Sequence, residues 1–193
     1  GGTNTAVGFS RLGLRTAYCG TLGHAEQGDW MIRELRKERV AFLGVRVSGM
    51  TNYSVVLDSV KRDRTILTYK DASDKLTWDH IPVRKLKTRW LYSSSMMGGA
   101  FGTLKHLAAW AHERGIPLAF NPSAYQAKMG LMALSPLLRQ LRALILNREE
   151  AAHIVGDHPI KTQLSRLQEA GPAFVVITDG NAGTYCMSPT GAW

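Results

Sequence analysis

The spacing of apolar positions changes repeatedly along this chain, and each change predicts a change of element. Leu104, Leu107, Ala108 and Ala111 recur at i, i+3, i+4 and i+7, which predicts a helix over Thr103–Arg114 with Gly115 and Pro117 as its stop. Ile160, Leu164 and Leu167 predict a second helix over Ile160–Ala170, closed by Gly171-Pro172. Asn4–Leu14 and Glu26–Arg39 read as helices as well, the latter with Met31, Leu35 and Arg39 at four-residue steps and Trp30 nearby. Between the helices lie short apolar runs: Arg15–Leu22, Leu91–Ser95, Ile116–Phe120, Arg142–Leu146 and Ala173–Thr178. Strands alternating with helices predict an α/β protein with a mainly parallel sheet flanked by helices.

One region breaks the alternation. Val45–Val47, Asn52–Asp58 and Thr65–Tyr69 read as consecutive strands with no helix between them, and the charged link Ser59–Arg64 reads as a hairpin turn without an Asn-Gly signal. Small β segments inserted into an α/β chain often cover a site at the carboxyl ends of the main strands. Residues 45–70 are therefore expected to form a β lid. No internal repeat or low-complexity linker interrupts the chain.

Composition narrows the class. Hydrophobic residues make up 45% and charged residues 20%, ordinary usage for a globular domain. No apolar run is long enough to span a bilayer as a helix, so no membrane partner is expected. The net charge of +9 comes from dispersed basic residues, clustered only at Lys61-Arg62-Asp63-Arg64 and Arg84-Lys85-Leu86-Lys87. Without a recognition motif beside them, a solvated basic surface is preferred over a nucleic-acid site. Such a surface would still attract a polyanionic nucleotide. Cys19 and Cys186 make neither a disulfide framework nor metal-ligand spacing; buried free thiols and a cytoplasmic setting are expected.

Three stretches could carry chemistry. The opening Gly1-Gly2-Thr3-Asn4-Thr5-Ala6, read with Gly13 and Gly23, combines glycines that admit a ligand close to backbone with an Asn that can donate to and accept from hydroxyl groups. Asn147-Arg148-Glu149-Glu150 follows directly on a predicted strand, where open α/β sheets place ligands. It is also what an ordinary N-cap with a Glu capping-box partner looks like. Val175–Thr178 followed by Asp179-Gly180-Asn181-Ala182-Gly183 is an apolar strand that ends in Thr and two glycines, so backbone can lie against a flat or anionic group. The same residues are turn chemistry in any protein, and a turn can also be a nucleotide wall.

In this order, the Gly1–Gly23 signature, the inserted strands, Asn147–Glu150 and Thr178–Gly183 resemble the ribokinase-like (PfkB-type) carbohydrate kinases over essentially the whole chain. The resemblance implies a ribokinase-like three-layer α/β sandwich with a small β-sheet lid. It also implies transfer of the ATP γ-phosphate to a hydroxymethyl group of a small sugar, with Mg2+. Gly1, Gly2 and Asn4 would hold sugar hydroxyls, with Asn52 and Tyr69 closing over them from the lid. Thr178, Gly180 and Gly183 would line ATP, and Asn147 and Glu150 would organise the metal. A homodimer formed by pairing two lids is a corollary.

Departures from the family pattern matter as much. Asn121-Pro122-Ser123 stands where the family has Asp-Pro-Asn, and Gly23-His24-Ala25 where it has Gly-Asp-Asp. No Gly-x-Gly-Asp occurs in the sequence, so no residue of this chain is assigned as catalytic base. The resemblance thus implies a single domain over 1–193 that is truncated relative to a longer parent, lacking the first strand and the final third, and inactive as it stands. A naturally short homologue is the alternative. A nucleoside kinase is the near alternative in function, because Tyr53 and Tyr69 would suit a base as well as a sugar, or would serve as core-facing strand aromatics. A non-catalytic sugar- or nucleotide-binding protein is the alternative from another class. A dehydrogenase is disfavoured, since no Gly-x-Gly-x-x-Gly follows a strand.

Overall fold

The computed structural model describes residues 1–58 and 64–192, so most of the expected turn at Ser59–Arg64 lies outside the described residues. The chain divides into two compact units. The first comprises Gly1–Leu86 and Gly98–Thr103, and the second comprises Lys87–Met97 and the chain from Leu104 onward.

The first unit opens with α1 (Gly2–Arg11), β1 (Ala17–Tyr18), β2 (Thr21–Gly23), α2 (Glu26–Lys37), β3 (Ala41–Phe42) and β4 (Val45–Val47). β1 pairs with β3 and β2 with β4, both parallel. The expected single strand Arg15–Leu22 is thus two short ones, broken at Cys19-Gly20. The backbones stay in contact across the break: Leu43 N–H donates to the Tyr18 carbonyl at 2.9 Å and Val45 N–H to the Gly20 carbonyl at 3.0 Å. A Cβ on Gly44 would lie 1.9 Å from the Gly20 oxygen, so only glycine permits this approach.

This pairing corrects the expected lid. Val45–Val47 is not a lid strand, because α2 is a crossover that returns the chain parallel to Thr21–Gly23. Among the described residues the small sheet consists of β5 (Tyr53–Asp58) and β6 (Arg64–Tyr69), which pair antiparallel from Tyr53↔Tyr69 to Asp58↔Arg64. Ala6, Leu35 and Val40 form a buried cluster, with Val7, Tyr18, Met31 and Phe42 packed against it. Arg39 departs from its expected helical place: α2 has ended, and Arg39 turns the chain at φ +57°. Burial pushes the Cys19 thiol up to about 11, so it remains a protonated, half-buried thiol.

After three short 3₁₀ turns comes β7 (Leu91–Ser93), then α3 (Gly98–Glu113), whose first turns group with the first unit. The second unit continues with β8 (Leu118–Phe120), α4 (Ala124–Ala127), α5 (Gly130–Leu138), β9 (Ala143–Asn147), α6 (Arg148–Val155), α7 (Ile160–Glu169), β10 (Phe174–Thr178), β11 (Thr184–Ser188) and β12 (Gly191–Ala192). Its sheet runs β12-β11-β10-β9-β8-β7, with β7 to β10 mutually parallel and the last two strands antiparallel. Leu118, Phe120, Leu144, Leu146, Val175 and Ile177 of the parallel strands are all buried. Leu104, Leu107, Ala108 and Ala111 are buried too, as the helical spacing of α3 predicts. At the end of α7, Gly171 takes φ +139°, and a Cβ there would sit 2.6 Å from the Arg139 Cα.

Candidate functional site

Parallel strands in register end together, so the loops after β9 and β10 must be neighbours. Asn147 and Thr178, the last residues of these strands, are register partners. Each is followed by polar, chemically capable residues, at the edge where open α/β sheets place ligands.

Asn147 is the N-cap of α6. Its Oδ1 accepts from the Glu150 amide at 2.8 Å, and Glu150 Oε2 accepts from the Asn147 amide at 2.9 Å. The capping box foreseen as the structural alternative is therefore formed. It leaves Glu150 only 8% exposed. Burial raises the Glu150 carboxyl above its ordinary value, opposed by the Asn147 amide and reinforced by the neighbouring Glu149. Because Oε2 is engaged by the cap, any metal-directed role falls to Oε1.

The β10–β11 connection is a tight turn in which the Asp179 amide donates to the Gly183 carbonyl at 2.8 Å and the Ala182 amide to the Asp179 carbonyl at 2.9 Å. Gly180 and Gly183 take φ +52° and +106°, and a Cβ on either would meet nothing within 4 Å. These glycines serve the backbone turn and leave its flank open, which is the access a ligand would need. Exposed Thr178 keeps Oγ1 3.5 Å from the Leu146 carbonyl. An ion pair joins the two loops: Arg148 Nη1 lies 2.8 Å from Asp179 Oδ2. Sequence reasoning missed this contact, because nothing in either residue's neighbourhood announces a partner 31 positions away.

At the ends of β7 and β8 the polar groups serve the scaffold. Asn121 Nδ2 donates to the Ile145 carbonyl at 2.8 Å, and Ser123 caps α4 in a box with Gln126. Gln126 is wholly buried, and its Oε1 also receives Ser95 Oγ at 3.0 Å while its amide donates to the Met96 carbonyl. Gln126 was not singled out in the sequence; a Gln three residues after a Ser was the available signal. Gly98 and Gly99 form the first turn of α3.

The residues expected at a sugar lie in the first unit. Gly1 caps α1, Gly2 and Asn4 lie in its first turn, and Asn4 is exposed. Asn52 is tied to the segment after the hairpin: Oδ1 accepts from the Asp71 and Ser73 amides at 3.0 and 3.2 Å, and Nδ2 donates to Ser73 Oγ. Its carbonyl oxygen is thus already occupied twice. Tyr69 stacks on its register partner Tyr53, with ring centroids 5.5 Å apart. Both rings are exposed rather than core-facing, at 50% for Tyr53 and 42% for Tyr69.

Among the described residues, no group of three or more His, Cys, Asp or Glu side chains could cage a metal ion. Asn147 and Glu150 at the end of β9 could instead meet a hydrated divalent ion through its waters. No helix among the described residues is long and apolar enough to cross a membrane.

The parallel strand ends, the Asn-capped helix and the glycine turn sit in an α/β protein whose solved structural neighbours, at TM-scores of 0.85 and 0.83, give it a ribokinase-like fold. Residues 1–193 match the pfkB family carbohydrate kinases throughout, and the chain belongs to that family. An uncharacterized sugar kinase of Archaeoglobus fulgidus is 25% identical over 185 residues, covering 93% of this chain and 72% of the relative. A ribokinase from Thermotoga maritima superposes at TM-score 0.83 with 16% identity, covering 100% of this chain and 63% of that one. A fructokinase with bound ATP from Xylella fastidiosa gives TM-score 0.82 and 17% identity, covering 100% and 66%. At these identities the two structures speak to the fold alone.

Proposed function

We propose that this chain carries the acceptor-binding and nucleotide-binding elements of an ATP-dependent kinase acting on a hydroxymethyl group of a small sugar, in a cytoplasmic setting. The observation that carries this reading is the register of Asn147 with Thr178, which sets the Asn147–Glu150 cap beside the open glycine turn. In this assignment Thr178 and the backbone of Gly180 and Gly183 lie along ATP. The ATP in the fructokinase of the same fold supports that donor. Asn147 and Glu150 would orient the waters of Mg2+, which when bound supplies charge neutralisation at the phosphates. Gly1, Gly2 and Asn4 would hold the sugar, with Tyr69 as an apolar wall and Asn52 fixing the loop beside it.

No residue here is assigned as catalytic base or anion hole. The expected outcome is therefore no phosphosugar above background from the 193-residue chain, tested with ATP and Mg2+ over pentoses, hexoses and nucleosides. A pfkB-family chain that also carries a Gly-x-Gly-Asp loop should turn over in the same assay. Robust turnover by the short chain would overturn the assignment of roles. A nucleoside acceptor is the second reading, favoured by the exposed Tyr53–Tyr69 stack, which could flank a base. An inactive longer protein on every acceptor would favour a binding role alone.

The small sheet exposes Val55, Val56, Leu57, Ile66 and Leu67, each at 46% or more. Pairing of two such sheets in a homodimer would cover them. We read the basic surface as solvated, with no nucleic-acid partner.

A further inference from the structure

We propose that Arg148 is a positioning residue for the nucleotide-facing turn, its ion pair with Asp179 tying Gly180–Gly183 to the start of α6. The inference rests on the nucleotide reading of that turn. Arg148 is the first residue of α6, where the helix dipole disfavours a cation. The dipole therefore gives no reason for an arginine here.

Its guanidinium is instead bound to Asp179, the residue immediately after the last residue of β10. Asp179 is also the hinge of the turn, since its amide reaches Gly183 and its carbonyl receives Ala182. The two glycines have no neighbours where a side chain would be, so packing does little to hold the turn. A 3.5 Å contact from Tyr185 Oη to the Ala182 carbonyl helps from the β11 side. The Asp179 side chain is what anchors the turn to α6. The pair is half-open to water, with the side chains of Arg148 and Asp179 exposed by 48% and 22%, so it acts as a trimmable restraint.

The test combines hydrogen exchange at the Asp179 and Ala182 amides with calorimetric titration of Mg2+-ATP, on the whole chain. R148A and D179A should each speed exchange at both amides and weaken Mg2+-ATP binding by about threefold, the scale of a half-exposed ion pair. The swap R148D/D179R should restore both. Thermal stability of R148A should not fall, because a cation leaves a helix N-terminus; a residue of general structural importance would lower it. Unchanged exchange in the single variants overturns the proposal. So does faster exchange with unchanged ATP affinity. A wild-type chain that binds no Mg2+-ATP, while its exchange responds to R148A as expected, overturns the nucleotide reading of the turn, and the positioning role falls with it.

Discussion

Asn147→Ala tests whether the residue that opens α6 is held as described. The change removes the Oδ1 acceptor of the 2.8 Å bond from the Glu150 amide but leaves the return bond from the Asn147 amide to Glu150 intact. Half of the capping box is lost. α6 has only eight residues, so one uncapped donor is a large share of its terminal satisfaction. Loss of an Asn cap costs about 1 kcal/mol. With a urea m-value of about 2 kcal/mol/M, the midpoint should fall by roughly 0.5 M. Asn147→Asp keeps the acceptor and adds negative charge at the helix start, so it should restore most of the loss. The assay is urea unfolding followed by circular dichroism for the three proteins. A midpoint for Asn147→Ala that matches wild type, or an Asn147→Asp variant that fails to recover, would refute the argument.

Glu150→Gln keeps a side-chain acceptor for the Asn147 amide while removing the charge. The Glu150 carboxyl is raised in the folded protein, so its ionisation costs stability as pH rises from the ordinary 4.5 through the folded value. The variant should be at least as stable as wild type at pH 7, with the gap closing below about pH 4; a destabilised variant with a pH-independent gap would contradict this. In an active longer protein the same change should lower the rate by impairing magnesium organisation. Gly44→Ala forces a Cβ to within 1.9 Å of the Gly20 oxygen and should cost on the order of 2 kcal/mol in a thermal melt, against no loss at Gly8, where a Cβ meets nothing. Asn4→Ala replaces an exposed residue in the first turn of α1 with the best helix former, so it should leave stability intact while weakening sugar affinity in an active longer protein. Unchanged affinity would remove Asn4 from the sugar site.

The chain's own pattern determined what is local. The stripe Leu104, Leu107, Ala108 and Ala111 specified the buried face of α3, because helical periodicity is visible at short range. Asn147 and Glu150 announced their cap because both partners lie within one turn. The alternation of strands and helices specified a parallel α/β architecture for the same reason. Tertiary structure decided the rest. Val45–Val47 looks like its neighbours Asn52–Asp58 and Thr65–Tyr69, yet it pairs with Thr21–Gly23, because the crossover of α2 sets its partner and spacing along the chain does not reveal one. Arg148 found Asp179, Asn52 found the Asp71 and Ser73 amides, and Tyr53 found Tyr69, through strand register and loop closure. Side-chain chemistry shows what a residue can bond to, but only the folded backbone selects which of many equivalent partners comes into contact.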